Sequence, residues 1–454
     1  MKKFIALLLA LVMTACLFTG CTGNTPPPAA NGSDAPGSSD APSTQDKPVE
    51  LLVWTFLNPA DETGRGKVLG DAVKLYEDAN PNVKVTVESL QWDTMTAKFF
   101  AAAQTGEAPD VIWVNGMDLG QAIQLGAVEP FENLFLKDWS AEQIADIDDA
   151  RFQYGTTDGN HYQIHLSTNV FGILYRADLF EAHGIDPSFK SWDELIAAAQ
   201  ELTFVDEETG MQVYGLGAAY STDNALNGVL EASLFTAYGN IVDEQGQANW
   251  AGDVGQTALQ MQIDMIDRYG ITPSSAISQN SEEVYADFCA GKYAMMFGGS
   301  TRVPTVKAQC VFDPDAVKLM TYPDIDGKAG KSLASGWNVC VWSGSQHKEE
   351  AGKFIEVLCS PEIDKERVME GGQIPLLKST IEATSDFITK PENEFLAMAA
   401  DLLVSNASTY DSSFLISGYT KDLNRAMQLA YVEGYTVEEA LSTTAAEFNE
   451  RNGN

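Results

Sequence analysis

Two short segments of this 454-residue chain carry residue types suited to metal or phosphate chemistry, and neither completes its pattern. His161 and His165 stand four apart in HYQIH, but the glutamate of an HExxH zinc helix is missing and the segment reads as extended, so no metal is expected there. Lys328-Ala329-Gly330-Lys331-Ser332 ends like a phosphate loop, yet GxxxxGK[ST] needs a glycine where this chain has Ile325. A surface turn is the reading that remains. Neither a GxSxG elbow nor a GxGxxG before a helix occurs, so no nucleophile or cofactor cradle is expected.

A fuller pattern stands at the ends of the strands that hydrophobic periodicity predicts. Trp54, Phe56 and Asn58 follow the first strand, Asn115 and Asp118 the third, and Ser167-Thr168-Asn169 and Ser335-Gly336-Trp337-Asn338 flank two more. In open α/β sheets ligands gather beyond the carboxyl ends of strands. Aromatic plates beside amides, a carboxylate and hydroxyls suit a solute with apolar faces and a rim of hydroxyl groups. Trp54 reads equally as core, Asn58 before Pro59 as a turn residue, and Asn115 or Asp118 as an N-cap. Trp337 is the preferred aromatic platform, and Asp223 and Asn224 are further candidates.

These residues need elements to position them. Glu50 to Phe56 reads as a buried strand, Gly66 to Asn80 as a helix with one apolar face, and Val83, Val85 and Val87 alternate as a strand does. A helix over Trp92 to Gln104, a strand over Asp110 to Val114 and a short helix over Leu119 to Leu125 follow. This alternation predicts an α/β architecture with a mainly parallel sheet. Beyond residue 140 helices dominate, with capping boxes at Ser140 with Gln143, Ser191 with Glu194 and Thr436 with Glu439. Strands are predicted at Val170 to Tyr175, Ala294 to Phe297, Val317 to Thr321 and Trp337 to Trp342, and helices at Lys348 to Leu358 and Pro361 to Glu370.

The termini and the charge bound the setting. Met1-Lys2-Lys3 and the apolar run Phe4 to Phe18 have signal-peptide form and are too short for the roughly 20 residues of a spanning helix. The run closes on Thr19-Gly20-Cys21, and small residues before a cysteine suggest lipidation at Cys21, with Cys16 as the competing position. Residues 22–48 are rich in Pro, Gly, Ser and Ala and predict a tether. With 64 acidic against 28 basic residues, a formal charge of −36 excludes nucleic acid as a partner and any attraction to an anionic bilayer. Cys289, Cys310, Cys340 and Cys359 lie in apolar contexts without CxxC spacing and read as buried thiols rather than disulfides.

Taken in order, LLVWTF, LYEDANPNVKVTVESLQWDTMTAKFFAAAQTGEAPDVIWV, GAVEPFENL, VFGILYRADLFEAHGIDPSFKSWDELIAAAQELT, DFCAGKYAMMFGGS, CVWSGSQHKEEAGKFIEVLCSPE, GGQIP and TVEEAL resemble the family-1 extracellular solute-binding proteins. This group contains the maltose-binding and other sugar-binding components of ABC importers. The resemblance implies a two-lobed periplasmic-binding-protein-like (type II) fold, with an interlobe ligand cleft and crossing hinge strands. On it, residues 1–20 are a lipoprotein signal peptide and 21–48 a disordered tether; 49–165 with 323–370 form lobe 1, and 170–320 with 371–454 lobe 2. The resemblance also implies a monomer on a lipid anchor outside the cytoplasmic membrane of a Gram-positive cell, capturing a carbohydrate for ABC permease subunits without catalysis. It adds Phe297, Ser300, Gly372 and Gln373 to the expected contacts. Many members carry Trp near Ser300, and Phe297 is expected to replace that plate. The alternatives are a polyamine, glycerol-phosphate or peptide cargo in the same role, or a glycoside hydrolase lipoprotein; Arg302 is the nearby cation that a phosphate would need.

Overall fold

Local periodicity places most elements within a residue or two of where they occur. The computed structural model describes residues 48–147, 155–222, 228–325 and 327–453, so the leader, Cys21, all but the last residue of the expected tether, Asp223 and Asn224 lie outside the described residues. Its strands are β1 (Val49–Thr55), β2 (Val83–Ser89), β3 (Val111–Asn115), β4 (Thr156–Thr157), β5 (Asn160–His161), β6 (Ile164–Arg176), β7 (Phe204–Val205), β8 (Gln212–Gly217), β9 (Tyr293–Gly299), β10 (Val317–Met320), β11 (Ser332–Val341) and β12 (Ala407–Ser408). The first helix runs over Gly64–Ala79 and buries Val68, Leu69, Ala72 and Tyr76, the one-sided apolar face its sequence predicts. Burying Val68 and Leu69 contributes roughly 1.5–3 kcal/mol each. Tyr76 also donates to the Glu350 carbonyl at 2.8 Å, tying this helix to Lys348–Leu358.

The sheet explains the architecture. Its strand order is β2-β1-β3-β11-β6-β9-β8-β7, with β1 parallel to β2 and β3, and β11 antiparallel to both β3 and β6. β6 is 13 residues long, and its two ends have different partners. Ile164 to Val170 pair with β11, whereas Phe171 to Tyr175 pair with β9, and Ile173 to Arg176 also with β10. β11 behaves likewise: Leu333 pairs with β12, and Trp337 to Val341 pair with β3. Two long strands therefore serve both halves of a two-lobed α/β fold. Where they run together the register shifts between Trp337 and Asn338, and only glycine fits at 336: its φ is +154° and a Cβ there would lie 1.8 Å from the Ser167 carbonyl oxygen.

The return from helix Pro361–Met369 is fixed by a buried ion pair. Arg367 donates to Asp364 at 2.7 Å and to the Leu358 carbonyl, while Asp364 accepts from the backbone N–H groups of Leu376 and Leu377 at 3.0 and 2.9 Å. Both charges thus have partners away from water, the condition for burying them at tolerable cost.

Some expectations need revision. The box at Ser191 is half formed: Ser191 accepts from Glu194 N–H, but the Glu194 carboxylate takes the Lys190 N–H one residue outside the box. The boxes at Ser140 and Thr436 are complete. Cys289, Cys310, Cys340 and Cys359 are free thiols, and burial pushes Cys340 and Cys359 well above the ordinary thiol range.

Candidate binding site at the lobe junction

The junction is built where β1 ends, where β3 and β11 lie side by side, and where β6 passes between the halves. Trp337 sits opposite Asn115 of β3 and Ser167 of β6, and its ring meets Phe56, just past β1, at a centroid distance of 4.8 Å. This aromatic pair is half-buried, so part of each ring stays accessible. Arg65, in the first turn of Gly64–Ala79, holds its guanidinium 5.3 Å from the Phe56 ring centre. A cavity of about 40 Å³ adjoins it, lined by Arg65, Trp113, Ser167, Arg367 and Gln373 among others.

The polar residues divide by whether the protein already uses them. Ser167 donates its hydroxyl to Gln373 at 3.1 Å, and the Gln373 amide donates to the Gly371 and Gly372 carbonyls. Gly372 has φ +59° and sits where a Cβ would come 2.6 Å from the Pro304 ring, so its backbone packs closely against the first turn of helix Val303–Gln309. The Thr168 hydroxyl is buried and has no partner among the described residues, an unmet capacity worth roughly 1–3 kcal/mol if a ligand satisfied it. Asn169, in contrast, accepts from the Thr301 N–H and hydroxyl, both at 3.0 Å, and Ser300 accepts from the Val170 N–H at 3.1 Å. Their side chains hold β6 against the turn after β9.

Other candidates are placed elsewhere than expected. Phe297 is a core residue, not a plate: it is 1% exposed, and its ring lies among Trp192, Tyr322 and Gly228, leaving no face for a solute. Asn58 spends its side chain on Asp61 and the Ala60 N–H, which makes it the turn residue its alternative reading described. Trp54 is buried, with Lys98 3.9 Å over its ring. Asn115 caps the following turn by accepting from Met117 N–H at 3.1 Å. Asp118 accepts from the Ser417 hydroxyl, so the segment after β12 closes onto β3; Gly120 makes room, since a Cβ there would meet the Phe414 and Ser412 carbonyls at 2.6 and 2.7 Å. Burial raises the Asp118 pKa, against the opposing pull of Ser417, Thr96 and Lys421.

Sequence reading missed three groups near this junction. Arg65 stands just before the helix predicted from Gly66 and carries no signal of its own. Glu231 is buried in an almost wholly apolar helix, Gly228–Tyr238, and accepts from Tyr419, whose hydroxyl lies 2.8 Å from that of Tyr410. Burial raises Glu231 to about 7, the Tyr419 hydrogen bond opposing. Arg302, noted only as a nearby cation, packs its guanidinium 4.4 Å from the Tyr285 ring centre and pairs with Glu282, while its Nε is buried without a partner. Nothing local marks any of them, because each acquires its meaning from residues far away in sequence.

Known proteins resemble this chain in sequence and in fold. The family model described as bacterial extracellular solute-binding protein matches residues 59–365. A binding protein of Brucella abortus is 24% identical over 392 residues, covering 84% of this chain and 89% of the relative. The lactose-binding protein of Rhizobium radiobacter is 22% identical over 414 residues, covering 86% and 90%. Among solved structures, maltose-bound T. maritima MalE3 superposes with a TM-score of 0.74 at 18% identity, over 89% of this chain and 100% of that one.

Proposed function

The chain belongs to the bacterial extracellular solute-binding proteins, and on that premise we propose that it captures a sugar or oligosaccharide between its lobes and delivers it to the permease of an ABC importer without altering it chemically. The observation that carries the cargo class is the half-buried Phe56–Trp337 pair at the strand crossing, where Thr168, in register with Gly336, has a hydroxyl with no partner among the described residues. An aromatic plate takes the C–H face of a sugar ring and a neighbouring hydroxyl takes part of its rim. Relatives that bind lactose and hold maltose support the same class.

Lobe 1 comprises residues 49–165 with 323–370 and lobe 2 residues 170–320 with 371–454, closing by a hinge motion whose balance the solute shifts. Trp337 and Thr168 are the assigned contacts among the expected residues. The protein acts as a monomer, tethered by residues 21–48 to a lipid on Cys21 after removal of residues 1–20, at the outer face of a Gram-positive membrane. Calorimetric titration of the purified protein against a saccharide panel tests the reading. A saccharide should bind and be recovered intact, and Trp337→Ala should weaken it at least tenfold without loss of folding. Hydrolysis of the sugar, or no binding across the panel, removes it.

A further inference from the structure

Seven arginines fall within the described residues, and six of them have a carboxylate within ion-pair distance: Arg176, Arg268, Arg302, Arg367, Arg425 and Arg451. Arg65 is the exception. In a chain with 64 acidic and 28 basic residues, an acid would be the statistically easy neighbour to supply. The guanidinium instead lies against the Phe56 ring, on the wall of the small cavity that also holds Ser167 and Gln373.

Its nearest charged influence has the same sign. Burial first and the charge of Arg302 second pull Arg65 down to about 10, which leaves it protonated at neutral pH. The two come from opposite halves and converge on the same backbone return. Gly64 N–H donates to Glu370 at 2.9 Å beside Arg65, and Gly372 is packed against Pro304, two residues from Arg302. Arg302 retains a buried Nε–H without an acceptor. Glu282, its partner, is exposed. Two planar donors of like charge, Arg65 without a counter-ion among the described residues and Arg302 with an Nε–H to spare, form a site that an anion would complete. The cavity of about 40 Å³ holds roughly three water-sized positions, the scale of a carboxylate and not of a sugar ring.

We propose that the solute is an acidic carbohydrate whose anionic group enters between Arg65 and Arg302 while its ring lies on Phe56 and Trp337. This rests on the carbohydrate reading above and deepens it. Closure then joins the two arginines through the solute, so an anion favours the closed form by removing their mutual repulsion.

Calorimetry with matched pairs tests it: glucose with glucuronate, galactose with galacturonate, the corresponding dimers, and glucose 6-phosphate and glucose 6-sulfate as the other anionic arms. The expected result is at least tenfold tighter binding of an acidic member than of its neutral counterpart, weakening as salt rises; whichever acid wins identifies the group. Arg65→Gln should cut that acidic-over-neutral preference at least tenfold while shifting the melting point of the empty protein little, because no ion pair is lost, only the contact with the Phe56 ring. Arg302→Gln should cut it less, since Glu282 already shares that charge, and Arg425→Gln should leave it unchanged. Neutral sugars binding as tightly as acidic ones, or an Arg65→Gln protein with undiminished preference, overturns this inference and leaves the carbohydrate reading standing. A panel in which neither series binds overturns both.

Discussion

Arg367 and Arg65 line one cavity and are treated by the fold in opposite ways. Arg367 is 7% exposed and fully engaged, by Asp364, which is itself held by two backbone N–H groups, and by a helix-end carbonyl. Arg65 has an aromatic face and a second arginine. A buried charge with its own counter-ion braces the protein, whereas one held without a counter-ion is arranged toward something outside the chain. Glu231 is a third case: it accepts one hydrogen bond, from Tyr419, with no cation paired to it among the described residues, and burial raises its pKa toward neutrality.

The contrast can be broken by experiment. The largest effect should come from Asp364→Ala, which strands Arg367 and frees the Leu376 and Leu377 N–H groups; a stability loss of about 3–5 kcal/mol is expected by chemical denaturation. If that loss matches the effect of Arg65→Gln, the two arginines do not differ in kind.

Next comes the pH dependence of Glu231. Its folded pKa of about 7 lies above the ordinary 4.5, so its stabilising share is complete below 4.5 and is lost as pH rises through 7. The difference amounts to about 3 kcal/mol at most. Tyr419 and Tyr410 face the carboxyl, and Tyr322 feels its charge; burial raises all three, so none titrates in that window. Melting curves from pH 4.5 to 8 should slope downward in the native protein and flatten in Glu231→Gln, which keeps the acceptor for Tyr419; equal slopes would show that the carboxyl does not titrate there. The smallest effect belongs to Glu282→Gln. An exposed ion pair contributes under about 1 kcal/mol, so the melting point should barely move while affinity for an anionic saccharide rises. A large drop in stability would make Arg302 a bracing residue like Arg367.

What the residues alone determined is local or ordered along the chain. Alternating Val83, Val85 and Val87 define β2, Lys348–Leu358 begins and ends where its apolar face does, and the blocks within residues 59–365 carry the family. These signals survive because strand and helix periods are written over a few neighbouring residues. The site was legible only as a set of strand ends. Trp337 and Thr168 keep an accessible face or an unmet hydroxyl, whereas Asn58, Asn169 and Ser300 are consumed inside the protein and Phe297 is closed in by Trp192 and Tyr322. Tertiary structure decided which polar groups had spare capacity, and it alone brought Arg65 toward Arg302 and Glu231 against Tyr419. The physical reason is that hydrogen-bond capacity and charge are settled by whichever group arrives in space, and two strands shared by both lobes bring together residues that no local pattern links.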